Sequence, residues 1–185
     1  MEDTRIIELY WQRSDRAIPE TDRKYGAYCH AVAYNICHDR EDAEECVNDT
    51  YLRAWNSMPD ERPSMLRAFL GTISRNLALD RYRRVSRKKR GGGEVELALA
   101  ELNECVPSSF SVEGDILARE LSRAIDAFLS TLSETDRTVF VSRYWYFAQV
   151  AEIAGRLGCS QGKVKMTLHR TRERLRIYLE EEGLA

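Results

Sequence analysis

The stretch EIAGRLGCSQGKVKMTL, residues 152–168, decides the fold of the C-terminal half of the chain. Ala154 is small where two helices must cross closely, and Gly158 follows four residues later, where the turn needs a positive φ. Ser160 is a typical N-cap for the helix that follows. This spacing predicts a helix-turn-helix. The apolar contacts between its two helices are assigned to Leu157, Cys159 and Val164.

The second helix of this motif is basic, which suits it to bind DNA. A helix of this diameter fits the major groove of B-DNA, where the side chains of its first turns reach the base edges. The alternative to DNA binding is an ordinary helical hairpin whose basic face is simply solvated. We favour DNA binding and assign it to six residues: Gln161, Lys163, Lys165, Met166, His169 and Arg170.

Helical periodicity covers most of the remaining chain. Apolar residues recur every three or four positions in the N-terminal half, which predicts a first long helix over 22–37. N-caps of later helices are expected at Asp39 and Ser133. A short amphipathic helix is expected in residues 1–17, ended by Pro19. Alternation with a period of two residues is nowhere sustained, so the chain is predicted to be all-α.

A glycine-rich run divides the chain. In RKKRGGG, residues 87–93, three glycines have no side chains to pack and lose the most entropy on ordering. Residues 91–114 are acidic and contain one possible short helix, EVELALAELNEC. The sequence therefore predicts two small helical domains, 1–90 and 115–185, joined by a flexible acidic linker over 91–114.

Charge is distributed in blocks along the chain. The 185 residues carry 28 Lys and Arg against 30 Asp and Glu, a formal net charge of −2. Residues 39–50 hold six acids and one base, whereas residues 67–90 hold nine bases and one acid. A second basic block covers residues 161–178. Charge runs are usually solvated faces, but two basic blocks on separate helical units favour contact with nucleic acid.

Composition excludes several other classes of protein. No stretch approaches the roughly 20 consecutive apolar residues of a membrane span, and the N-terminus is too charged for a signal peptide. The five cysteines are widely spaced and form no CxxC motif, which argues against a disulfide framework and a metal site. We therefore expect a soluble, cytoplasmic protein without a metal or other cofactor.

Taken together, the two halves resemble the extracytoplasmic-function (ECF) sigma factors, small sigma-70-type initiation subunits of bacterial RNA polymerase. DREDAEECVNDTYLRAW, residues 39–55, is similar to the family's region-two helix that docks on the polymerase clamp helices. RAFLGTISRNLALDRYRR, residues 67–84, is similar to the helix that reads the minus-ten promoter element. LSETDRTVFVSRYW and AEIAGRLGCSQGKVKMTLHRTRERLR, within residues 132–176, are similar to region four, which reads the minus-thirty-five element.

The resemblance implies a set of binding residues on the first domain. Contacts with the clamp helices would come from Asp42, Glu45, Asn48, Asp49 and Arg53. A base flipped out of the separated non-template strand would enter a pocket in the loop 59–65, and the basic helix would neutralise phosphates. The minus-ten contacts are assigned to Asp60, Glu61, Arg62, Ser64, Arg67, Arg75, Asn76, Arg83 and Arg84.

The resemblance also implies partners: core RNA polymerase through its clamp helices and flap, promoter DNA, and an anti-sigma factor. Flap docking would use residues 128–146, while Trp145, Tyr146 and Phe147 are assigned mainly to the core. The alternative function is a stand-alone helix-turn-helix regulator that binds a palindrome as a dimer. An enzyme is not expected, since no nucleophile, phosphate-cradling or HExxH motif is present.

Overall fold

The computed structural model describes residues 1–58, 60–86, 93–105 and 115–184. Within these residues the protein is all-α, as predicted, with nine helices and no strand. Pro59, most of the glycine-rich run and the end of the expected linker lie outside the described residues. The helices are α1 (Asp3–Trp11), α2 (Ala17–Cys37), α3 (Arg40–Ser57), α4 (Leu66–Ser86), α5 (Glu94–Asn103), α6 (Asp115–Thr131), α7 (Glu134–Tyr144), α8 (Val150–Leu157) and α9 (Gln161–Glu181).

The chain forms two compact units, Met1–Gly91 and Gly92–Ala185. In the first unit, α2, α3 and α4 pack against one another and α1 packs on α2. Cys29, Ala54 and Leu70 are fully buried in this core. The amphipathic stripes of the sequence point inward here because each helix has to bury its apolar face against the others.

Proline does not end the first helix where the sequence analysis expects it to. α1 ends at Trp11, and α2 begins at Ala17, so that Pro19 lies in the first turn of α2. The backbone N–H that proline lacks has no intrahelical partner in a first turn, so proline is tolerated there. The long helix predicted over 22–37 therefore begins five residues earlier.

The predicted caps are confirmed. The Asp39 carboxylate accepts a hydrogen bond of 2.9 Å from the Asp42 N–H, which caps α3. The Ser133 hydroxyl accepts one of 3.1 Å from the Asp136 N–H at the start of α7. Each cap satisfies a backbone donor that the first helical turn leaves unpaired.

α4 contacts the Tyr28 side chain of α2 closely at Gly71. A Cβ placed on Gly71, which is buried, would collide with the Tyr28 hydroxyl, and it would lie 3.1 Å from the Tyr28 Cζ. The Tyr28 ring of α2 therefore occupies the space that a larger side chain at position 71 would need.

In the second unit, α8 packs on α9, α7 packs on both α8 and α9, and α6 packs on α9. α5 also belongs to this unit, where it packs against α7 with Val95 and Ala98 fully buried. This differs from the sequence expectation, which assigned residues 91–114 to a flexible linker. The difference arises because α5 carries apolar residues on one face and carboxylates that pair with a buried arginine of α7.

Candidate nucleic-acid interfaces

The helix-turn-helix forms as its sequence predicts. α8 ends at Leu157, and Gly158 turns the chain with φ of +60°. The Cys159 N–H donates to the Ala154 carbonyl oxygen at 3.0 Å, and the Ser160 hydroxyl accepts from the Lys163 N–H at 3.2 Å. The turn is thus closed by local hydrogen bonds on both sides of the glycine.

The packing of the motif differs from the prediction at one residue. Val164 is buried at 1% exposure and Cys159 is partly buried, but Leu157 is 37% exposed. The assignment of Leu157 to the contact between the helices is therefore wrong. Leu157 is the last residue of α8, where the chain turns at Gly158. Ile153, 1% exposed, fills the core one turn earlier.

The six residues assigned to the minus-thirty-five contact lie on the solvent side of α9. Val164, Leu168, Thr171 and Leu175 are buried and hold the opposite side of the helix in the core. The two sets do not overlap, so α9 presents polar and cationic groups without loss of packing. The exposed residues are Gln161, Lys163, Lys165, Met166, His169 and Arg170.

A buried arginine that the sequence analysis missed anchors α5 to this unit. Arg143 of α7 is 1% exposed, and its Nη1 lies 2.6 Å from the Glu94 Oε2. Its Nη2 and Nε donate to the two oxygens of Glu101 at 3.0 and 3.2 Å, a bidentate pair. Burial acts to lower the pKa of Arg143, but the hydrogen bonds to Glu101 and Glu94 outweigh it and the pKa is raised.

The anchor extends to α9 through a tyrosine. The Tyr144 hydroxyl donates to Glu101 Oε2 at 3.1 Å and accepts from Arg172 Nη1 at 2.8 Å. Burial raises the pKa of Tyr144 to about 12. Beside this network is a cleft of about 560 Å³ that Gln161 and Lys165 of α9 line together with Glu94 of α5. The acidic helix α5 therefore lies next to the start of α9, the candidate DNA-reading helix.

The residues assigned to the polymerase contact lie on α3 of the first unit. Glu45, Asn48, Asp49 and Arg53 are exposed, and Asp42 is partly buried. Leu52, which the sequence analysis did not single out, is 57% exposed among them. On a helix, residues three and four positions apart share a face, so Leu52 is an apolar centre within a polar surface.

Two of these acids are paired within the protein. Arg81 of α4 lies 2.6 Å from Asp42 through Nε and 2.6 Å from Glu45 through Nη2. The hydrogen bond from Arg81 lowers the pKa of Glu45 below its usual 4.5. These two ion pairs link α3, which carries the acidic run, to α4, which carries the basic run. The two charge runs in the sequence do not reveal this link.

In the loop assigned to the minus-ten element, Asp60 and Glu61 are exposed, and the end of α3 holds their backbone. The N–H groups of Asp60 and Glu61 both donate to the Ser57 carbonyl oxygen, at 3.1 and 2.9 Å. Arg62 and Ser64 are exposed further along the loop. Asp60 and Glu61, whose carboxylates can accept hydrogen bonds from a base edge, thus lie on a backbone held by hydrogen bonds to α3.

The residues of the basic helix α4 that are assigned to the minus-ten contact differ in their exposure to solvent. Arg67, Asn76, Arg83 and Arg84 are exposed, and the Arg67 guanidinium lies 4.6 Å from the centre of the Tyr28 ring. Arg75 is instead half-buried, and burial together with the nearby Arg83 lowers its pKa to about 10. The structure therefore places four of these five residues where phosphates can reach them freely.

Trp145, Tyr146 and Phe147 follow α7 and are largely enclosed. Phe147 is 2% exposed, while Trp145 and Tyr146 are partly buried. This agrees with their assignment mainly to the core. None of the helices that the structure describes is long and apolar enough to cross a membrane. Among the described residues, no group of three or more His, Cys, Asp or Glu side chains is arranged to hold a metal ion.

Comparison with known proteins places both units in one family of proteins. Residues 22–88 match the family model of sigma-70 region 2, and residues 122–175 match that of sigma-70 region 4. The chain is 29% identical over 171 residues to the ECF RNA polymerase sigma factor SigE of Mycolicibacterium smegmatis, covering 90% of this chain and 64% of SigE.

Two further comparisons cover nearly the whole chain. The ECF RNA polymerase sigma factor SigL of Mycobacterium tuberculosis is 28% identical over 163 residues, which are 87% of this chain and 88% of SigL. The solved structure of CnrH in complex with the cytosolic domain of CnrY aligns with 97% of each chain, at 22% identity and a TM-score of 0.44.

Proposed function

The chain belongs to the extracytoplasmic-function group of the sigma-70 family of RNA polymerase sigma factors, and on that premise we propose how it initiates transcription. It binds core RNA polymerase, brings it to promoters through two DNA-binding surfaces, and promotes melting of the minus-ten region. The observation that carries this proposal is the order of the two matched regions: region 2 lies on the first unit, and region 4 contains a well-formed helix-turn-helix on the second.

The polymerase contact is proposed for the exposed surface of α3. Asn48, Asp49 and Arg53 present polar groups there, with Leu52 between them. An exposed apolar side chain inside a polar rim is typical of a protein-binding surface. Asp42 and Glu45 belong to the same surface, but their pairing with Arg81 means that a partner has to share them with α4.

The minus-ten contact is proposed for the loop and the basic helix that follows it. Asp60, Glu61, Arg62 and Ser64 supply donors and acceptors for a base edge. Exposed cations of α4 supply the phosphate contacts, since neutralising phosphates drives most non-specific affinity for DNA. The loop residues would thus recognise the base, and the cations of α4 would supply the affinity for the DNA strand.

The minus-thirty-five contact is proposed for the exposed side of α9. Gln161 and Lys165 lie within the first turns of the helix, the part that reaches base edges in helix-turn-helix proteins. Lys163, Met166, His169 and Arg170 complete the surface. The domain assignment follows: residues 1–90 bind polymerase and the minus-ten element, and residues 115–185 bind the minus-thirty-five element.

The chain itself is proposed to act as a regulatory subunit and not as an enzyme, because nucleotidyl transfer belongs to the polymerase. An anti-sigma factor is proposed as a further partner, as the resemblance implies. It would act by covering the α3 surface or the exposed side of α9, both of which transcription requires to be free.

The first test is co-elution of the purified chain with bacterial core RNA polymerase in size-exclusion chromatography. Abortive transcription from a promoter library, with and without the chain, then shows whether initiation depends on it and yields the two promoter elements. We expect co-elution and promoter-dependent transcription. Failure to bind core polymerase, together with tight binding to a palindromic duplex, would overturn the proposal in favour of a stand-alone regulator.

A further inference from the structure

Trp11, the last residue of α1, is an exposed aromatic side chain that none of the contacts above uses. Its side chain is 46% exposed, although the preceding Tyr10 is fully buried and hydrogen-bonded to Thr21 at 2.9 Å. The end of α1 is therefore held in the core while the Trp11 ring faces solvent. An aromatic ring exposed in this way offers an apolar face on which a planar group can stack.

The exposed ring lies beside the minus-ten loop. The Arg62 guanidinium carbon is 5.2 Å from the centre of the Trp11 ring, within the range of a cation–π contact. Arg62 is itself exposed and lies in the loop that includes Asp60, Glu61 and Ser64. Residues that are 51 positions apart in the chain are thus brought together at one surface of the first unit.

The segment after Trp11 is also held in place. Arg13 adopts a positive φ of +52°, and its Nη1 donates to the Trp55 carbonyl oxygen of α3 at 2.6 Å. Its guanidinium carbon lies 5.0 Å from the centre of the Trp55 ring. A non-glycine residue rarely adopts this backbone conformation, so the contact with α3 fixes the exit from α1. Trp11 therefore lies between Tyr10 and Arg13, which are both held in place by hydrogen bonds.

We propose that Trp11, together with Arg62, forms a stacking platform for an unpaired base of the melted non-template strand, next to the base read by the loop. This inference rests on the proposed function, since it requires the loop to receive melted DNA. An aromatic face and a guanidinium plane are the two groups on which proteins stack single-stranded bases.

The surroundings favour a base over a phosphate as the occupant. Asp60 and Glu61 place two carboxylates in the same loop, and Asp15 is a further acid just after α1. The two loop carboxylates offset the charge of Arg62, so the loop attracts a phosphate less strongly than the arginine alone would. An unpaired base carries no net charge and gains from stacking on the ring. The platform would therefore hold the strand open by binding a base, while the cations of α4 bind the backbone.

Stacking on Trp11 and hydrogen bonding of the loop to base edges predict different dependences of DNA affinity on the DNA sequence. Every base has a π-face, so stacking on Trp11 should add affinity whichever base occupies the position. Hydrogen bonds from the loop should instead discriminate between bases. A change at Trp11 is thus expected to weaken binding of the melted strand evenly, and a change at Ser64 or Glu61 is expected to alter the preferred base.

The test uses the chain loaded on core RNA polymerase and a labelled single-stranded non-template oligonucleotide that carries the minus-ten element recovered above. Affinity is measured for the wild type, Trp11→Ala, Trp11→Phe and the matched control Tyr34→Ala, whose ring is similarly exposed on α2 at 45%. We expect Trp11→Ala to weaken binding by between about 5-fold and 150-fold. Trp11→Phe and Tyr34→Ala should retain most of the affinity.

The stacked position is located by placing abasic sites one by one along the oligonucleotide. At one position, the losses from the abasic site and from Trp11→Ala should not add, because both remove the same contact. Additive losses at every position, or an equal loss with Trp11→Phe, would overturn the inference. So would a loss of core binding in Trp11→Ala, which would make Trp11 a polymerase contact. If the wild type itself does not load on core polymerase, the proposed function fails, and the platform fails with it.

Discussion

Arg81 Nε lies 2.6 Å from Asp42 Oδ1, which joins the basic helix α4 to the acidic helix α3. The same guanidinium reaches Glu45 with Nη2 at 2.6 Å. One arginine from the helix assigned to the minus-ten element thus orients two acids from the helix assigned to polymerase. The two helices proposed for these binding functions are joined through this side chain.

Arg81→Ala is expected to reduce stability in a pH-dependent way. Arg81 holds the pKa of Glu45 below its usual 4.5. A group whose pKa is lowered on folding stabilises the protein above its usual pKa, and that stabilisation is lost as the pH falls through the lowered value. The difference in unfolding free energy between wild type and Arg81→Ala should therefore be larger at pH 7 than at pH 3. Urea unfolding at both pH values measures it, with Arg53→Ala, exposed on α3, as the control. A difference that does not change with pH would contradict this account.

Arg143→Met is expected to destabilise the second unit by about 3 kcal/mol. Removing one partner from a buried ion pair leaves the others poorly compensated. Here Glu94 would lose its pairing with Arg143, and Glu101 would keep only the Tyr144 hydroxyl and the Arg172 guanidinium, the latter at 3.5 Å. Arg143→Lys keeps the charge but not the bidentate geometry, so it should recover only part of the loss. Denaturant unfolding of the full chain gives the free energies. Full stability in Arg143→Met would show that α5 is held by its apolar residues alone.

Gly71→Ala is expected to destabilise the first unit, although alanine has the higher helix propensity. In an open helix the change should stabilise by up to about 1 kcal/mol, but here the added Cβ meets the Tyr28 hydroxyl. Overpacking of this kind costs about 1–3 kcal/mol. Gly155→Ala in α8, where a Cβ meets nothing within 4 Å, is the matched control and should be neutral or stabilising. Tyr28→Phe should relieve part of the cost. If Gly71→Ala and Gly155→Ala changed the midpoint of thermal unfolding by the same amount, the close contact at Gly71 would be refuted.

Leu52→Asp is expected to weaken binding to core polymerase without loss of fold. The side chain is 57% exposed, so the unit does not depend on it for packing, whereas burial of an apolar residue at a protein interface contributes strongly. A loss of roughly 10-fold or more in affinity is expected, measured by titrating labelled core polymerase. Leu97→Asp on α5, a leucine exposed to a similar degree at 53%, serves as the control. Unchanged affinity would remove Leu52 from the polymerase surface.

Lys165→Ala is expected to reveal what α9 reads. If Lys165 contacts a base, its loss should cost about 1–3 kcal/mol at one position of the minus-thirty-five element and relax the preference there. If it contacts a phosphate, the loss should be the same on unrelated DNA, and the dependence of affinity on salt should become shallower. Binding to systematically altered promoters at two salt concentrations separates the two cases. Arg123→Ala, exposed on α6, is the control, and no effect on either kind of DNA would exclude Lys165 from the interface.

Several features of the fold are readable from neighbouring residues alone. The caps at Asp39, Ser133 and Ser160 each bond to an N–H three residues away. The turn at Gly158 depends on the backbone freedom of a single residue. Such signals survive in any tertiary setting, because their partners are fixed by covalent connection. Pro19 shows the limit of this reasoning, since a proline that can end one helix can equally lie in the first turn of the next.

The sequence by itself determined the all-α class, the helix-turn-helix and the residues that α9 exposes, because these follow from helical periodicity and local capping. Only the tertiary structure decided which charges remain available to a partner. Arg81 meets Asp42 across 39 positions, Arg143 meets Glu101 across 42, and Arg62 meets Trp11 across 51. Pairing at such separations depends on how helices cross, and a crossing is set by the packing of whole helix faces and not by any local pattern. Local sequence is therefore enough to identify most helices and their caps, whereas the assembled cores determine which distant side chains meet.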